Sequence, residues 1–127
     1  MNSSTHRVRK VIIIDDDPAF AETLRAMVNS LGHDATVSTD ARSSYALDLS
    51  DDDVIFIDVL MPNTSGLKVL DQLAQQKATC PIILMSGHLE RLEGAEKYAE
   101  SLDLNLIAAL EKPFRLEDIR DVLTEAW

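Results

Sequence analysis

Four short apolar runs, each followed by a polar side chain, restrict the fold of this sequence more than any other feature. The runs are rich in β-branched residues and carry no polar face, which is typical of strands buried on both sides of a parallel sheet. The polar residues that follow them are, in chain order, Asp15-Asp16-Asp17, Asp58, Ser86 and Glu111-Lys112. Such a pattern predicts several strands that deliver functional groups at the same ends.

Segments with helical spacing of apolar residues separate these runs. The predicted strands are 8–14, 34–38, 53–58, 81–85 and 104–110. The predicted helices are 18–31, 41–49, 67–73, 89–102 and 115–127. Pro18 suits a first helical turn and Gly32 a helix end. Strand and helix alternate five times, which predicts an α/β fold with a parallel sheet and helices on both faces. We expect one domain over 1–127, with residues 1–6 flexible.

The charge and composition exclude several classes of protein. The net charge is −10, with 22 acidic against 12 basic residues, so we expect no direct binding to nucleic acid. No apolar run approaches the roughly 18 residues of a membrane span, and we expect no membrane partner. Cys80 is the single cysteine, so an intrachain disulfide is impossible and a small buried side chain is expected there. A cytoplasmic location is the resulting expectation.

The strand ends predict a binding site. In an open α/β sheet, ligands bind at the carboxyl ends of the strands. Asp15, Asp16 and Asp58 follow two strands that we expect to be neighbours, and their charges would repel one another without a cation between them. Mg²⁺ prefers such oxygen ligands, and Mn²⁺ is a natural substitute. A cation there would also attract a phosphate donor, and a carboxylate can accept a phosphoryl group as an aspartyl-phosphate.

Two further groups suit the same chemistry. The ammonium of Lys112 can hold one phosphoryl oxygen, and the hydroxyl of Ser86 can donate a hydrogen bond to another. The sequence thus predicts a site for a divalent metal and a phosphoryl group.

These motifs together resemble the receiver domains of two-component response regulators. The matching pieces are 13–18, 57–62 with Gly66, 84–87 and 112–114, and the resemblance extends from about Arg7 to the end. It implies a flavodoxin-like (βα)5 fold with a five-stranded parallel sheet in the order 2-1-3-4-5. It also implies that the domain is not an enzyme, apart from catalysing its own phosphorylation and dephosphorylation.

The resemblance assigns roles at the metal and phosphoryl site. Asp58 is implied to accept the phosphoryl group from a histidine kinase or a phosphotransfer protein. Asp16 is implied to bind Mg²⁺ directly, whereas Asp15 acts mainly through water and charge. The backbone carbonyl of Leu60 is implied to supply a further metal ligand.

Other implied roles concern switching. Ser86 moves toward the phosphoryl group, Lys112 pairs with it, and the Lys112–Pro113 peptide is cis. The phosphoryl group thereby favours an active conformation over an inactive one. The fourth predicted helix, the fifth strand and the fifth helix form the face that contacts an output domain or partner protein, and a homodimer through that face is a possible assembly.

Three positions depart from the family pattern or tune it. Many receivers carry Tyr or Phe three residues before the lysine, where this chain has Ala109, so another group must report activation. Leu60 and His88 occupy positions that tune hydrolysis of the phosphoryl group, and Leu60 cannot orient a water, which predicts slow self-dephosphorylation. The longer segment between Ser86 and Lys112 is similar to receivers that precede EAL cyclic-di-GMP phosphodiesterase domains.

Two other functions fit parts of the sequence. In a haloacid-dehalogenase-type phosphatase Asp15 would be the nucleophile and Asp17 the acid, although Ala19 replaces the expected Thr or Val. A docking module that works without phosphorylation is the second alternative. Asp17 also suits a helix start, and the acidic run 51–53 is expected to be an exposed turn. The kinase, the output and the oligomeric state are left open.

Overall fold

The computed structural model describes residues 8–39, 49–60 and 66–126. The strands are β1 (Lys10–Ile14), β2 (Asp34–Ser38), β3 (Val54–Asp58), β4 (Ile82–Ser86) and β5 (Leu106–Glu111). The described residues form four helices, which are α1 (Pro18–Ser30), α2 (Gly66–Gln75), α3 (Leu89–Ser101) and α4 (Leu116–Ala126). The predicted helix at 41–49 lies outside the described residues except for Leu49. Residues 1–6, for which flexibility was predicted, and residues 61–65 also lie outside them.

The five strands form one parallel sheet in the order β2-β1-β3-β4-β5. The predicted strand order is therefore confirmed, as is the position of β2 at an edge and of β1 beside β3. Ile14 is paired with Ile57, and Asp58 with Met85. This register places the residues after β1, the end of β3 and the end of β4 at one edge of the sheet.

The sheet carries an apolar core on each face. Alternate residues of the central strands point to opposite sides, so Ile12 and Ile14 belong to one cluster and Val11 and Ile13 to the other. Helices α2 and α3 cover the first cluster, which includes Cys80, and helices α1 and α4 cover the second. Cys80 is buried, as predicted. Burial on both faces is the reason these strands read as continuous apolar runs.

The helix ends follow local chemistry. Asp17 caps α1, because its side chain accepts hydrogen bonds from the backbone N–H groups of Ala19 and Phe20. Gly32 follows the same helix with a φ of 89°, a left-handed conformation that favours glycine. In the part of the chain that the structure describes, no helix has both the length and the apolar composition needed to cross a bilayer.

Two predictions of burial were wrong. The apolar spacing of the predicted helix 115–127 puts Leu116 on its inward face, but Leu116 is the first residue of α4 and is 37% exposed. Asp53 was expected in an exposed turn with its two neighbours. It is buried instead, and two contacts compensate its carboxylate: a hydrogen bond accepted from the Ser50 N–H and the Lys10 ammonium 3.8 Å away.

Candidate functional site

The carboxyl edge of the sheet, where the parallel strands end, brings together the polar residues that follow the apolar runs of the sequence. Asp15 directly follows β1, Asp58 ends β3, Ser86 ends β4, and Lys112 follows β5. Asp15, Asp58 and Ser86 are buried, and Lys112 retains 17% exposure of its side chain. Because these strands are parallel neighbours, chain segments separated by up to 97 positions meet at one point.

Both carboxylate oxygens of Asp15 already have partners. Oδ1 accepts a hydrogen bond of 2.9 Å from the backbone N–H of Asp17. Oδ2 accepts one of 2.8 Å from the ammonium of Lys112. This is the shorter of the two ion pairs that Lys112 makes at the site, and it gives the fully buried Asp15 carboxylate a compensating charge.

Asp58 is held less tightly. Its Oδ2 lies 3.5 Å from the Lys112 ammonium, and its Oδ1 accepts a hydrogen bond of 3.3 Å from the Leu60 N–H. Burial, followed by the negative charge of Asp15, raises the pKa of Asp58 from 3.8 to about 7, although Lys112 and the Leu60 N–H act in the opposite direction. The site therefore has more negative charge than the Lys112 ammonium balances.

The carboxylates of Asp15, Asp16 and Asp58 are close enough to share one cation. One oxygen from each lies within 4.8 Å of the others, and Asp16 is half-buried. Carboxylate oxygens at this spacing match the ligands that Mg²⁺ prefers, and a divalent charge would relieve the repulsion that raises the pKa of Asp58. The donor set fits the predicted metal. The role of the Leu60 carbonyl stays a prediction.

Ser86 and Lys112 are connected through the backbone of β4. The Ser86 hydroxyl accepts a hydrogen bond of 3.0 Å from the His88 N–H, and the Ser86 carbonyl accepts one of 2.8 Å from the Lys112 N–H. The Lys112–Pro113 peptide bond is cis, as predicted. Ala109 lies in β5, half-buried against the α2 and α3 side of the core.

Two residues at the site were not recognised as functional from the sequence. The first is Phe20, whose spacing in the sequence indicates only a place on the apolar face of the predicted helix 18–31. The Lys112 ammonium lies 4.2 Å from the centre of the Phe20 ring, within the range of a cation–π contact. The sequence could have indicated this role, because Phe20 lies in the first turn of α1, and the first turn of the helix after β1 is close to the carboxyl edge of the sheet.

The second is Gly66, a residue of the matching family motif that the sequence alone suggests is a turn glycine. It is the first residue of α2, and its N–H donates a hydrogen bond to the Val59 carbonyl. A Cβ atom at this position would lie 2.7 Å from the Asp58 carbonyl oxygen and 2.9 Å from the Val59 Cα. Glycine therefore lets α2 start directly against the end of β3, where Asp58 is held.

The comparisons with known proteins agree with this architecture. A model of the response regulator receiver domain family matches residues 11–124. The chain is 30% identical over 111 residues to the response regulator MprA of Mycolicibacterium vanbaalenii, covering 87% of this chain and 46% of MprA. It spans about half the length of the first curated relatives that it matches, and a quarter of one of them.

Solved structures give the same result. A response regulator from Colwellia psychrerythraea superposes with a TM-score of 0.84 at 32% identity, over 93% of this chain and 95% of the other. The response regulator TrrA of Thermotoga maritima, solved in complex with Mg²⁺–BeF, superposes with a TM-score of 0.79 over 94% of this chain and all of the other. TrrA is 17% identical, so that likeness concerns the fold alone.

Proposed function

Because the chain belongs to the family of response regulator receiver domains, which are regulatory components of two-component systems, we propose that Asp58 is its phosphoacceptor. The phosphoryl group comes from a histidine kinase or a phosphotransfer protein. The observation that carries this proposal is the meeting of Asp58 with Asp15, Asp16 and Lys112 at the carboxyl edge of the sheet.

Asp58 is better suited to the nucleophilic role than Asp15. Both oxygens of Asp15 are engaged in short hydrogen bonds, whereas Asp58 has one weak bond at Oδ1 and a longer contact at Oδ2. An Asp58 oxygen forms the new bond to phosphorus while the phosphorus–nitrogen bond of a phosphohistidine breaks, and the leaving imidazole takes up a proton. This difference argues against the phosphatase alternative, in which Asp15 would attack.

Asp15, Asp16 and Asp58 are the side chains that would hold Mg²⁺, or Mn²⁺ in its place, with the Leu60 carbonyl as a further ligand. When bound, the metal supplies positive charge that attracts the phosphate donor and offsets the negative charge of the transferring group. The raised pKa of Asp58 supports this role for a cation, since the protein alone leaves that carboxylate hard to ionise. The Mg²⁺–BeF complex of TrrA, which has the same fold, is consistent with it.

Lys112 and Ser86 hold the transferred group. The Lys112 ammonium, already 3.5 Å from Asp58, pairs with a phosphoryl oxygen. The Ser86 hydroxyl accepts a bond from the His88 N–H and keeps its own proton free to donate, so it can turn toward a second oxygen. These contacts exist only in the phosphorylated state, and they shift the domain toward its active conformation.

The output lies with a partner or with a domain elsewhere in a longer protein. We propose that the face formed by α3, β5 and α4 transmits the signal and permits a homodimer, and that the domain works in the cytoplasm as a single unit over 1–127. An EAL cyclic-di-GMP phosphodiesterase domain downstream of the receiver is one candidate for the output domain.

Incubation with acetyl phosphate and Mg²⁺, followed by intact mass and peptide mapping, tests the proposal. We expect the mass of one phosphoryl group, located on Asp58, and its complete loss in Asp58→Asn. Asp15→Asn is expected to slow phosphorylation without abolishing it. The exposed Asp103→Asn serves as the control for loss of one carboxylate.

Two other results would reject the proposal. A phosphoryl group that persists in Asp58→Asn and disappears in Asp15→Asn would favour the phosphatase chemistry. No added mass under any of these conditions would favour the docking module.

A further inference from the structure

We propose that Phe20 is a positioning residue for phosphoryl transfer, which holds the Lys112 ammonium at the site through the face of its ring. The inference rests on the proposed function of Asp58. Lys112 has a long and flexible side chain, and three groups of the described residues lie around its ammonium. These are Asp15 at 2.8 Å, Asp58 at 3.5 Å, and the centre of the Phe20 ring at 4.2 Å.

The contact of Lys112 with the Phe20 ring is less directional than its ion pairs with the two carboxylates. A carboxylate forms a directional ion pair, which Lys112 must weaken in order to turn toward a phosphoryl oxygen. The quadrupole of an aromatic ring attracts a cation over a broad surface and forms no directional bond with it. Phe20 can therefore retain the ammonium during the turn from Asp15 to the phosphorylated Asp58.

Phe20 is itself fixed to the site. Its backbone N–H donates to the Asp17 side chain, and the Asp17 N–H donates to Asp15, so one turn of chain positions both the ring and the first carboxylate. The ring also contacts Phe114 edge to face, with centroids 5.4 Å apart and planes at 89°. Phe114 follows Lys112 by two residues, so the aromatic pair joins the start of α1 to the loop that carries the lysine.

The simplest alternative is that Phe20 only covers the core between α1 and α4, against which its side chain packs. Phe20→Leu retains an apolar side chain at that place but removes the ring. Replacement of Phe20 by phenylalanines with one, two or three ring fluorines retains the ring shape and weakens the attraction for a cation in steps. The two kinds of change separate packing from electrostatics.

The rate of phosphorylation by acetyl phosphate is the first measurement. We expect the rate to fall stepwise with the number of fluorines, to about a third to a tenth of the original rate, and to fall as far in Phe20→Leu. Phe20→Tyr should retain most of the rate, because its ring also attracts cations. Equal rates across the fluorinated series in a protein that is phosphorylated on Asp58 would overturn the inference and leave the proposed function intact.

Urea unfolding in two backgrounds is the second measurement, and it does not depend on phosphorylation. Fluorination of Phe20 should lower the free energy of unfolding stepwise when Lys112 is present. The loss should be smaller in Lys112→Met, where only the edge-to-face contact with Phe114 responds to the fluorines. The same stepwise loss in both backgrounds would show that Phe20 acts by packing alone. If the unsubstituted protein accepts no phosphoryl group, the proposed function fails, while this comparison still decides whether the ring holds the lysine.

Discussion

Removing the charge of Asp58 should stabilise the protein in the absence of a divalent metal. Raising the pKa of this carboxyl from 3.8 to about 7 means that its ionisation costs about 4 kcal/mol more in the folded protein than in the unfolded chain. Asp58→Asn removes that cost. The substitution also has a cost. The new amide nitrogen either faces the Lys112 ammonium or takes the place of the oxygen that accepts the hydrogen bond from the Leu60 N–H. Either orientation destabilises the folded protein by about 1.5–3 kcal/mol.

The net expectation is a gain of about 1–3 kcal/mol in the free energy of unfolding at about pH 8. The sign of the pH dependence follows from the pKa values. From about pH 4 to about pH 7 the unfolded chain has released the Asp58 proton while the folded protein retains it, so a rise in pH destabilises the wild type through this group. The advantage of Asp58→Asn should therefore grow between about pH 4 and about pH 7 and stay constant above.

Urea unfolding at several pH values in buffer with a chelator is the assay. Asp103→Asn is the matched control, because it removes one exposed carboxylate from a residue whose φ of 59° asparagine tolerates. We expect the control to lie within about 0.5 kcal/mol of the wild type at every pH. An Asp58→Asn protein that is less stable than the wild type at about pH 8, or an advantage that does not change with pH, would refute the reasoning.

Three further outcomes follow from the site. Mg²⁺ should raise the melting temperature of the wild type, because it binds the folded state and offsets the charge of three carboxylates. Calorimetry should show that Asp16→Asn loses most of this rise and that Asp103→Asn retains it. Gly66→Ala should destabilise the protein by about 1–3 kcal/mol in urea unfolding, since the added methyl group must displace backbone at the end of β3. Gly94→Ala is the control, because its methyl group enters open space on α3 and should not destabilise the protein. The isolated phosphorylated protein should lose its phosphoryl group slowly, because Leu60, 41% exposed beside the site, cannot orient a water, and an intact-mass time course that shows a half-life of seconds would contradict this.

Local patterns in the sequence were sufficient to predict an α/β fold with a parallel sheet, and the resemblance to receiver domains implied the order of its strands. Continuous β-branched runs before Asp15 and Asp58 indicated strands buried on both faces, and helical spacing between the runs indicated crossovers that make neighbouring strands parallel. Parallel strands end at the same edge, so the meeting of Asp15, Asp16, Asp58 and Lys112 followed from strand order. The cap at Asp17 and the left-handed glycine at Gly32 were also evident, because both depend on adjacent residues only.

What required the tertiary structure were the distances and the degree of burial. No pattern in the sequence indicates that Lys112 lies closer to Asp15 than to Asp58, because the two distances depend on how the loops pack at the carboxyl ends of the strands. The raised pKa of Asp58, the ring of Phe20 against the ammonium and the tight fit of Gly66 against β3 likewise arise between residues distant in the chain. The spacing of apolar residues along the chain determines which face of a strand or helix a side chain occupies. The contacts between side chains, and their removal from water, depend on how those faces pack in the folded protein.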